Sequence, residues 1–169
     1  QELYYESEAK VVVLISHRSD CDAIKAHAAG YQALLEDYRD QGVRVLMINS
    51  QSDDSREAIA SEAAELGLEI PIMQDSAQII GRSLDINSSA EVIVIDTRDW
   101  NISYRGELDG ARGTVDKILA GEQVALAASP GVKGCAIDYV DTSVVADYSR
   151  DIAPLLQENC MACHIEGGI

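Results

Sequence analysis

The chain has 169 residues, enough for one domain and a tail, and it is 47% hydrophobic and 25% charged, as expected for a folded chain with a sizeable core. Thirteen basic and 29 acidic residues give a net charge of -16, which argues against nucleic acid or an anionic membrane surface as a partner. No apolar run approaches the ~20 residues that a membrane-spanning helix needs.

The first predicted elements are a polar lead-in over residues 1–9 and a buried strand over residues 10–16. The strand is mostly apolar and rich in β-branched residues, which is typical of a strand covered on both faces. A polar turn containing Cys21 follows, and then a long helix. The predicted inward positions of that helix, spaced by four and three residues, are Ile24, Ala28, Tyr31, Leu35 and Tyr38.

The thiol of Cys21 is thus expected at a helix N-terminus, where the helix dipole and free N–H groups favour a thiolate. Asp20 and Asp22 flank the thiol and oppose that effect by repulsion. A reactive thiol, an unreactive relic and a structural disulfide all remain open. A metal site formed by Cys21, His17 and His27 also remains open, although His27 lies six residues after Cys21 and on a different face of the helix.

The remaining elements complete the pattern of a mixed sheet. They are strands at 43–49, 91–96 and 101–106, a short extended piece at 70–73, helices marked by Ile59, Ala63 and Leu66, then at 77–84 and 112–120, and a linker at 122–147 that carries Cys135. Parallel strands joined by helices, followed by a hairpin and a closing helix, predict an α/β, thioredoxin-like sandwich over residues 10–121.

The sharpest motif is Cys160-Met161-Ala162-Cys163-His164, a C-x-x-C-H pentapeptide. It is the attachment signature of haem c, in which the thiols of Cys160 and Cys163 form thioethers and His164 is an axial ligand of the iron. The segment before it predicts a helix with Asp151 as the cap and Pro154 in the first turn. The alternative interpretation is a pair of structural or redox thiols beside a histidine.

Only five residues follow His164, too few to build a haem pocket. We therefore expect residues 148–169 to be the start of a truncated haem segment, completed by a further domain or by a redox protein partner. Haem c is attached outside the cytosol, so the motif predicts a periplasmic or otherwise exported protein.

Residues 10 to about 136 resemble the redoxin, or AhpC/TSA, branch of the thioredoxin-like superfamily. Three local features carry this resemblance: Asp20-Cys21 between the first strand and the long helix, the closing hairpin over 91–106, and Gly134-Cys135. In exported members of the family such a pair is often followed by a C-x-x-C-H segment. The resemblance implies a thiol oxidoreductase fold with Cys21 at the active position and Cys135 as its second thiol.

Three departures from the pattern stand beside the resemblance. Ile24 occupies the place of a second thioredoxin cysteine. Leu14 occupies the proline place of a peroxiredoxin P-x-x-x-T-x-x-C motif, and Arg18 occupies its threonine place. Ser89-Ala90 precedes the strand at 91–96 where the fold normally carries a cis-proline. A cis bond before a residue other than proline costs about 2.5–4 kcal/mol, so Ala90 is expected to be trans.

Cys21 and Cys135 are candidates for a disulfide in an oxidising compartment. The stretch from Gly121 to Cys135 reaches roughly 46 Å when extended, so distance does not prevent pairing. Such a bond would pin the late segment over the thiol face, which would be closed when oxidised and open when reduced.

The leading functional hypothesis is an exported redox protein that couples this thiol domain to a covalent haem c for electron transfer. The first alternative is a degenerate, non-catalytic docking module of a cytochrome or redox complex. The second is a copper-delivery protein.

Overall fold

A computed structural model describes residues 9–128, 132–141, 143 and 146–161. The chain divides into two compact units, Gln1–Tyr139 and Val140–Ile169. The sequence-based domain limits stay predictions.

The first unit is built on a six-stranded sheet in the order β3-β2-β1-β4-β5-β6. Its strands are β1 (Val11–His17), β2 (Val43–Asn49), β3 (Ile72–Gln74), β4 (Val92–Asp96), β5 (Asn101–Gly106) and β6 (Ala127–Ala128). Its helices are α1 (Asp22–Tyr38), α2 (Arg56–Glu65), α3 (Ile79–Ser83) and α4 (Leu108–Leu119). The second unit contains a π-helical turn, Tyr148–Ile152, and α5, Ala153–Asn159.

β1 lies in the middle of the sheet, parallel to β2 and antiparallel to β4, and all seven of its residues are buried. Successive side chains point to opposite faces, so Val13 belongs to one core and Leu14 to the other. The first core is closed by α1 and α4, and the second by α3 together with Ile137 and Tyr139. The predicted thioredoxin-like α/β fold is confirmed, with the three long apolar strands in one sheet.

Two helices differ from their predictions. On α1 the buried side chain is Leu34, whereas Leu35 is only partly buried, because the inward stripe advances by three residues after Tyr31. α4 begins at Leu108, four residues before its predicted start. Glycines lower helix propensity there, but Gly110 packs directly against the ring of Tyr104, where a larger residue does not fit.

Part of the predicted linker at 122–147 is ordered against the first unit, since β6 pairs with β5 and residues 132–139 lie in that unit. In the second unit the helical cap is Asp147, whose carboxylate accepts from the N–H of Arg150, so the assignment of Asp151 as the cap was wrong. Pro154 does lie in the first turn of α5. Among the described residues, no helix has both the length and the apolar character needed to cross a bilayer.

Candidate thiol site

Cys21 and Cys135 form a disulfide with their Cα atoms 5.9 Å apart and 114 positions separating them along the chain. The predicted pairing is therefore confirmed. Cys21 is fully buried and occupies the N-cap position of α1, which places the residue at the positive end of the helix dipole. Cys135 is only half-buried, so it is the more accessible residue of the two.

Ser89 contacts both halves of the disulfide. Its hydroxyl donates to the Sγ of Cys21 at 3.2 Å and accepts from the N–H of Cys135 at 3.0 Å. Its own N–H donates to the carbonyl of Cys135 at 2.8 Å. Ser89 is completely buried, so these bonds form away from water, where a hydrogen bond to a developing thiolate is strongest. Sequence reasoning gave Ser89 no role, because serine before a strand carries no local signal.

The loop that carries Ser89 is fastened to the end of β1 by Ser16. The hydroxyl of Ser16 donates to the carbonyl of Ser88 at 2.6 Å and accepts from the N–H of Glu91 at 2.9 Å. The carbonyl of Ser16 also accepts from the N–H of Ala90 at 2.8 Å. No described residue has a cis peptide bond, so the expectation of a trans bond at Ala90 is confirmed.

The negative charge of Asp20 is balanced within the turn. Lys25 donates a hydrogen bond to the Asp20 carboxylate and thereby lowers the pKa of that group. The backbone N–H of Asp20 donates to Glu62 at 2.9 Å, which holds the turn against α2. The repulsion between Asp20 and the Cys21 thiolate, expected from their proximity in the sequence, is therefore reduced by Lys25.

His17 is a buried neutral imidazole at the end of β1. Asn49, its neighbour in the parallel register, donates to His17 Nδ1 at 3.0 Å, which leaves the proton on Nε2. That nitrogen lies 3.4 Å from Glu62 Oε2 without forming a hydrogen bond. Burial lowers the pKa of His17 to about 4, against a smaller opposing effect of Asp54, and burial raises the pKa of Glu62.

The three residues weighed as a metal site are not available as a ligand set. Cys21 is in the disulfide, His17 is buried with its Nδ1 engaged by Asn49, and His27 is exposed on α1 beside the Tyr31 ring. Over the described residues, no group of three or more histidine, cysteine, aspartate or glutamate side chains is placed to hold a metal ion.

Residues 134–139, here called the covering segment, lie as an added extended chain along residues 86–89. Ser88 and Ala136 form an antiparallel bridge, and the N–H of Ile137 donates to the carbonyl of Asn87 at 3.1 Å. Arg18 donates to the carbonyl of Ala136. The disulfide thus fixes one end of the covering segment, which is also held to residues 87–89 by main-chain hydrogen bonds.

The haem motif lies mostly outside the described residues, which include Cys160 but neither Cys163 nor His164. Cys160 is an exposed free thiol that follows α5 directly. Large apolar side chains are exposed at spacings of three and four along the helical stretch before it; they are Tyr148, Ile152, Leu155 and Leu156, with Met161 following. An accessible thiol beside an apolar face fits the attachment of a haem, which needs both.

Three features define a thioredoxin-like redoxin domain. They are the parallel β1-α1-β2 unit, the antiparallel β4-β5 hairpin and a cysteine at the N-terminus of α1. The model of the AhpC/TSA family matches residues 3–106. The chain therefore belongs to the AhpC/TSA family. A search of curated proteins finds no match to it.

Solved structures show the same fold at low sequence identity. An uncharacterized conserved protein from Geobacillus kaustophilus is 23% identical, with 83% of each chain covered and a TM-score of 0.71. A putative thiol:disulfide interchange protein DsbE from Chlorobium tepidum is 15% identical, covering 69% of this chain and 84% of that one, with a TM-score of 0.61. A secreted disulfide oxidoreductase of Mycobacterium tuberculosis, homologous to DsbE of E. coli, is 15% identical, covering 65% and 84%, with a TM-score of 0.55.

Proposed function

We propose that this chain is an exported thiol–disulfide redox protein in which Cys21 and Cys135 form the exchanging couple and the C-terminal segment carries a covalent haem c. The observation that carries the thiol half is the Cys21–Cys135 disulfide at the N-terminus of α1, with the buried hydroxyl of Ser89 donating to one sulfur. Membership of the AhpC/TSA family supports the same chemistry.

The geometry favours attack at Cys135. A thiolate of a partner dithiol attacks the Sγ of the half-buried Cys135, forms a mixed disulfide with it and displaces the sulfur of Cys21 as a thiolate. The hydroxyl of Ser89 and the N-terminus of α1 stabilise that leaving thiolate. The second thiol of the partner then attacks the partner's own sulfur, which releases Cys135. Two electrons pass from partner to chain, and the partner becomes a disulfide.

The haem half rests on the C-x-x-C-H motif and on the exposed apolar residues before it. Cys160 and Cys163 would hold the haem through thioethers and His164 would ligate the iron, and the apolar side chains of Leu156 and Met161 are exposed nearby in the sequence. When bound, haem c supplies one-electron transfer. The names of the DsbE-like structures, one of them secreted, favour an exported location, as does the motif.

One preparation tests both halves. Protein isolated from its own exported compartment without reductant should keep its visible colour after acid–acetone extraction, because thioethers survive that treatment. Complete loss of colour, together with alkylation of Cys160 and Cys163, contradicts the haem proposal. The same preparation, equilibrated with mixtures of reduced and oxidised dithiothreitol, should show a two-electron transition of Cys21 and Cys135; a pair that does not re-form after reduction contradicts the thiol proposal.

The docking-module alternative is favoured by one observation, the absence of a second cysteine near Cys21 on α1, where Ile24 is buried in the core. A Cys21→Ser variant separates the two functions. Exchange in the wild type that is lost in this variant indicates the thiol function, whereas no exchange in either protein, with equal binding of both to a redox partner, indicates docking by a non-catalytic domain. The copper-delivery alternative gains nothing from the described residues, none of which form a metal-binding group.

A further inference from the structure

Two asparagines carry the acceptor pattern for N-linked glycosylation, in which serine or threonine follows two positions later and the residue between is not proline. They are Asn87, followed by Ser89, and Asn101, followed by Ser103. The local sequence does not separate the two, because an aspartate also lies two positions before each asparagine. The fold does separate them, by what surrounds each side-chain amide.

Asn101 is the first residue of β5, at the tip of the β4–β5 hairpin. Its main chain is fixed, since it pairs with Asp96 in the sheet register and its N–H donates to Asp99 Oδ1 at 3.1 Å. Its side chain is exposed, and no residue in the described part of the chain accepts a hydrogen bond from its Nδ2. A sugar on this nitrogen would therefore break no hydrogen bond of the folded unit.

The side-chain amide of Asn87 is already engaged. Its Nδ2 donates to the carbonyl of Asp85 at 3.1 Å and to the Asp85 carboxylate at 3.2 Å. The Asn87 carbonyl accepts from the N–H of Ile137 at 3.1 Å, so the same residue also holds the covering segment. A sugar would replace one hydrogen of that nitrogen and crowd the turn at Asp85. The structure thus favours Asn101 over Asn87 as the residue that carries a glycan.

A groove with a volume of about 1080 Å³ lies beside Asn101, between the hairpin and the chain from Gln123 to Leu126. Trp100, 41% exposed, and Leu126, 62% exposed, give it two large apolar side chains. Gln123 and Asp99 add an exposed amide and an exposed carboxylate. A pyranose has an apolar C–H face that packs on an aromatic ring and hydroxyl groups that bond to amides and carboxylates, so this lining suits a saccharide.

We propose that Asn101 is an N-glycosylation site and that the first sugars of the glycan lie in this groove against Trp100. The donor substrate is an oligosaccharide carried on a lipid pyrophosphate, and the enzyme is an oligosaccharyltransferase of the exported compartment. This inference rests on the exported location proposed above and is independent of the thiol and haem chemistry.

The transfer balances with that donor alone. The Nδ2 of Asn101 attacks the anomeric carbon of the saccharide, and a C–N bond forms as the bond from that carbon to the pyrophosphate oxygen breaks. The nitrogen gives up one proton and the lipid pyrophosphate leaves with the bonding electron pair, so nothing is oxidised or reduced. The transferase reads the hydroxyl of Ser103, which is 2% exposed in the folded chain. Transfer therefore precedes the pairing of β5 with β4.

The test exports the full chain behind a heterologous leader in a host that has an oligosaccharyltransferase, so that the experiment itself supplies the location. Trypsin cleaves after lysine and arginine and releases the two asparagines in separate peptides, residues 83–98 and 99–105. Mass spectrometry should find the glycan on the 99–105 peptide. Asn101→Gln and Ser103→Ala should lose it, whereas Ser103→Thr and Asn87→Gln should retain it.

The groove has its own readout, because Trp100 is the only tryptophan of the chain. A glycan that lies against the indole shields it from solvent. Acrylamide should therefore quench the fluorescence of the glycosylated chain less than that of Asn101→Gln, which is folded and carries no glycan.

An unmodified 99–105 peptide, from a host that glycosylates a control acceptor protein, overturns the site and leaves the proposed thiol and haem functions untouched. A glycan on the 83–98 peptide alone also overturns it. Glycosylation of Asn101 with equal quenching of Trp100 in both chains overturns the placement of the sugars in the groove. Recovery of the natural protein from the cytosol overturns the exported function and this site together.

Discussion

Ser89 Oγ lies 3.2 Å from Cys21 Sγ and donates a hydrogen bond to it, across 68 positions of sequence. The contact exists because Ser16, at the end of β1, holds the neighbouring Ser88 carbonyl and Glu91 N–H. β1 delivers Cys21 and anchors Ser89 at the same time, so the two groups keep their distance as one rigid arrangement.

Replacing Ser89 by alanine should make Cys21 a poorer leaving group. A hydrogen bond to a charged group contributes about 1.5–3 kcal/mol, so reduction of the disulfide by dithiothreitol should slow roughly tenfold. Alkylation of reduced Cys21 should also require a higher pH than in the wild type. Ser88→Ala is the matched control, because the Ser88 hydroxyl donates to a backbone carbonyl and not to a sulfur. Equal pH profiles for both variants would contradict the role of Ser89.

Reduction of the disulfide should lower the stability of the first unit substantially. Closing a loop of 114 positions removes unfolded-state entropy equivalent to up to about 5 kcal/mol, and the bond also retains the covering segment. Denaturant unfolding of wild type and Cys135→Ser should show this loss, and limited proteolysis should cut the variant faster between residues 122 and 147. Cys160→Ser, which changes a cysteine of the second unit, should leave the denaturant unfolding of the first unit as in the wild type.

Stability should fall as the pH is lowered from about 6.5 towards 4, because of His17. Its pKa is about 4 in the folded protein, below its ordinary 6.5, so the unfolded chain binds the proton first and acid favours unfolding. The penalty is absent above pH 6.5 and complete below about 4, where it amounts to roughly 3 kcal/mol. Glu62, whose pKa is raised, has the opposite dependence: it favours the folded state at low pH and loses that contribution as the pH rises.

Substitution of His17 separates its effect from that of Glu62. The measurement is the melting temperature of wild type, His17→Gln and His27→Gln across this pH range. His17→Gln should flatten the acid-side decline, and His27→Gln should leave it unchanged because His27 is exposed on α1. A decline that persists undiminished without His17 would place its origin in other groups.

Val13→Asp should prevent the first unit from folding. Val13 is fully buried in the central strand, and a carboxylate there has no partner to offset its desolvation. Ala29→Asp introduces the same charge at an exposed position of α1 and should be tolerated. Thermal unfolding followed by circular dichroism compares the two, and a near-normal melting temperature for Val13→Asp would contradict the position of β1.

The fold could be predicted because its signals are local. The runs at Val11–His17, Val43–Asn49 and Val92–Asp96 are mostly apolar and rich in β-branched residues, which is typical of strands covered on both faces. The pairing of Cys21 with Cys135 was also within reach, since so few cysteines lie outside the haem motif. The start of α4 was missed, because glycine propensity was outweighed there by packing against Tyr104.

The surroundings of the disulfide could not be predicted in the same way. Ser89, Gln51 and Gln78 contact the covering segment from loops that are distant in sequence, and their residue types are common on any surface. Their roles depend on the antiparallel register between residues 86–89 and 134–139, which no periodicity encodes. Even the capping residue of the last helical stretch, Asp147, lies outside the helix that the pattern suggested.

The Cys21–Cys135 bond also determines how the chain carries mechanical load. Tension applied between the N-terminus and the second unit passes through β1, the disulfide and the covering segment, while the 114-position loop between the two cysteines is bypassed. The backbones of β2, β4 and β5 lie outside this covalent path, so while the bond is intact force reaches them only through the hydrogen bonds of β1 to β2 and β4. Reduction adds roughly 380 Å of extensible chain to the same tether, at about 3.3 Å per residue.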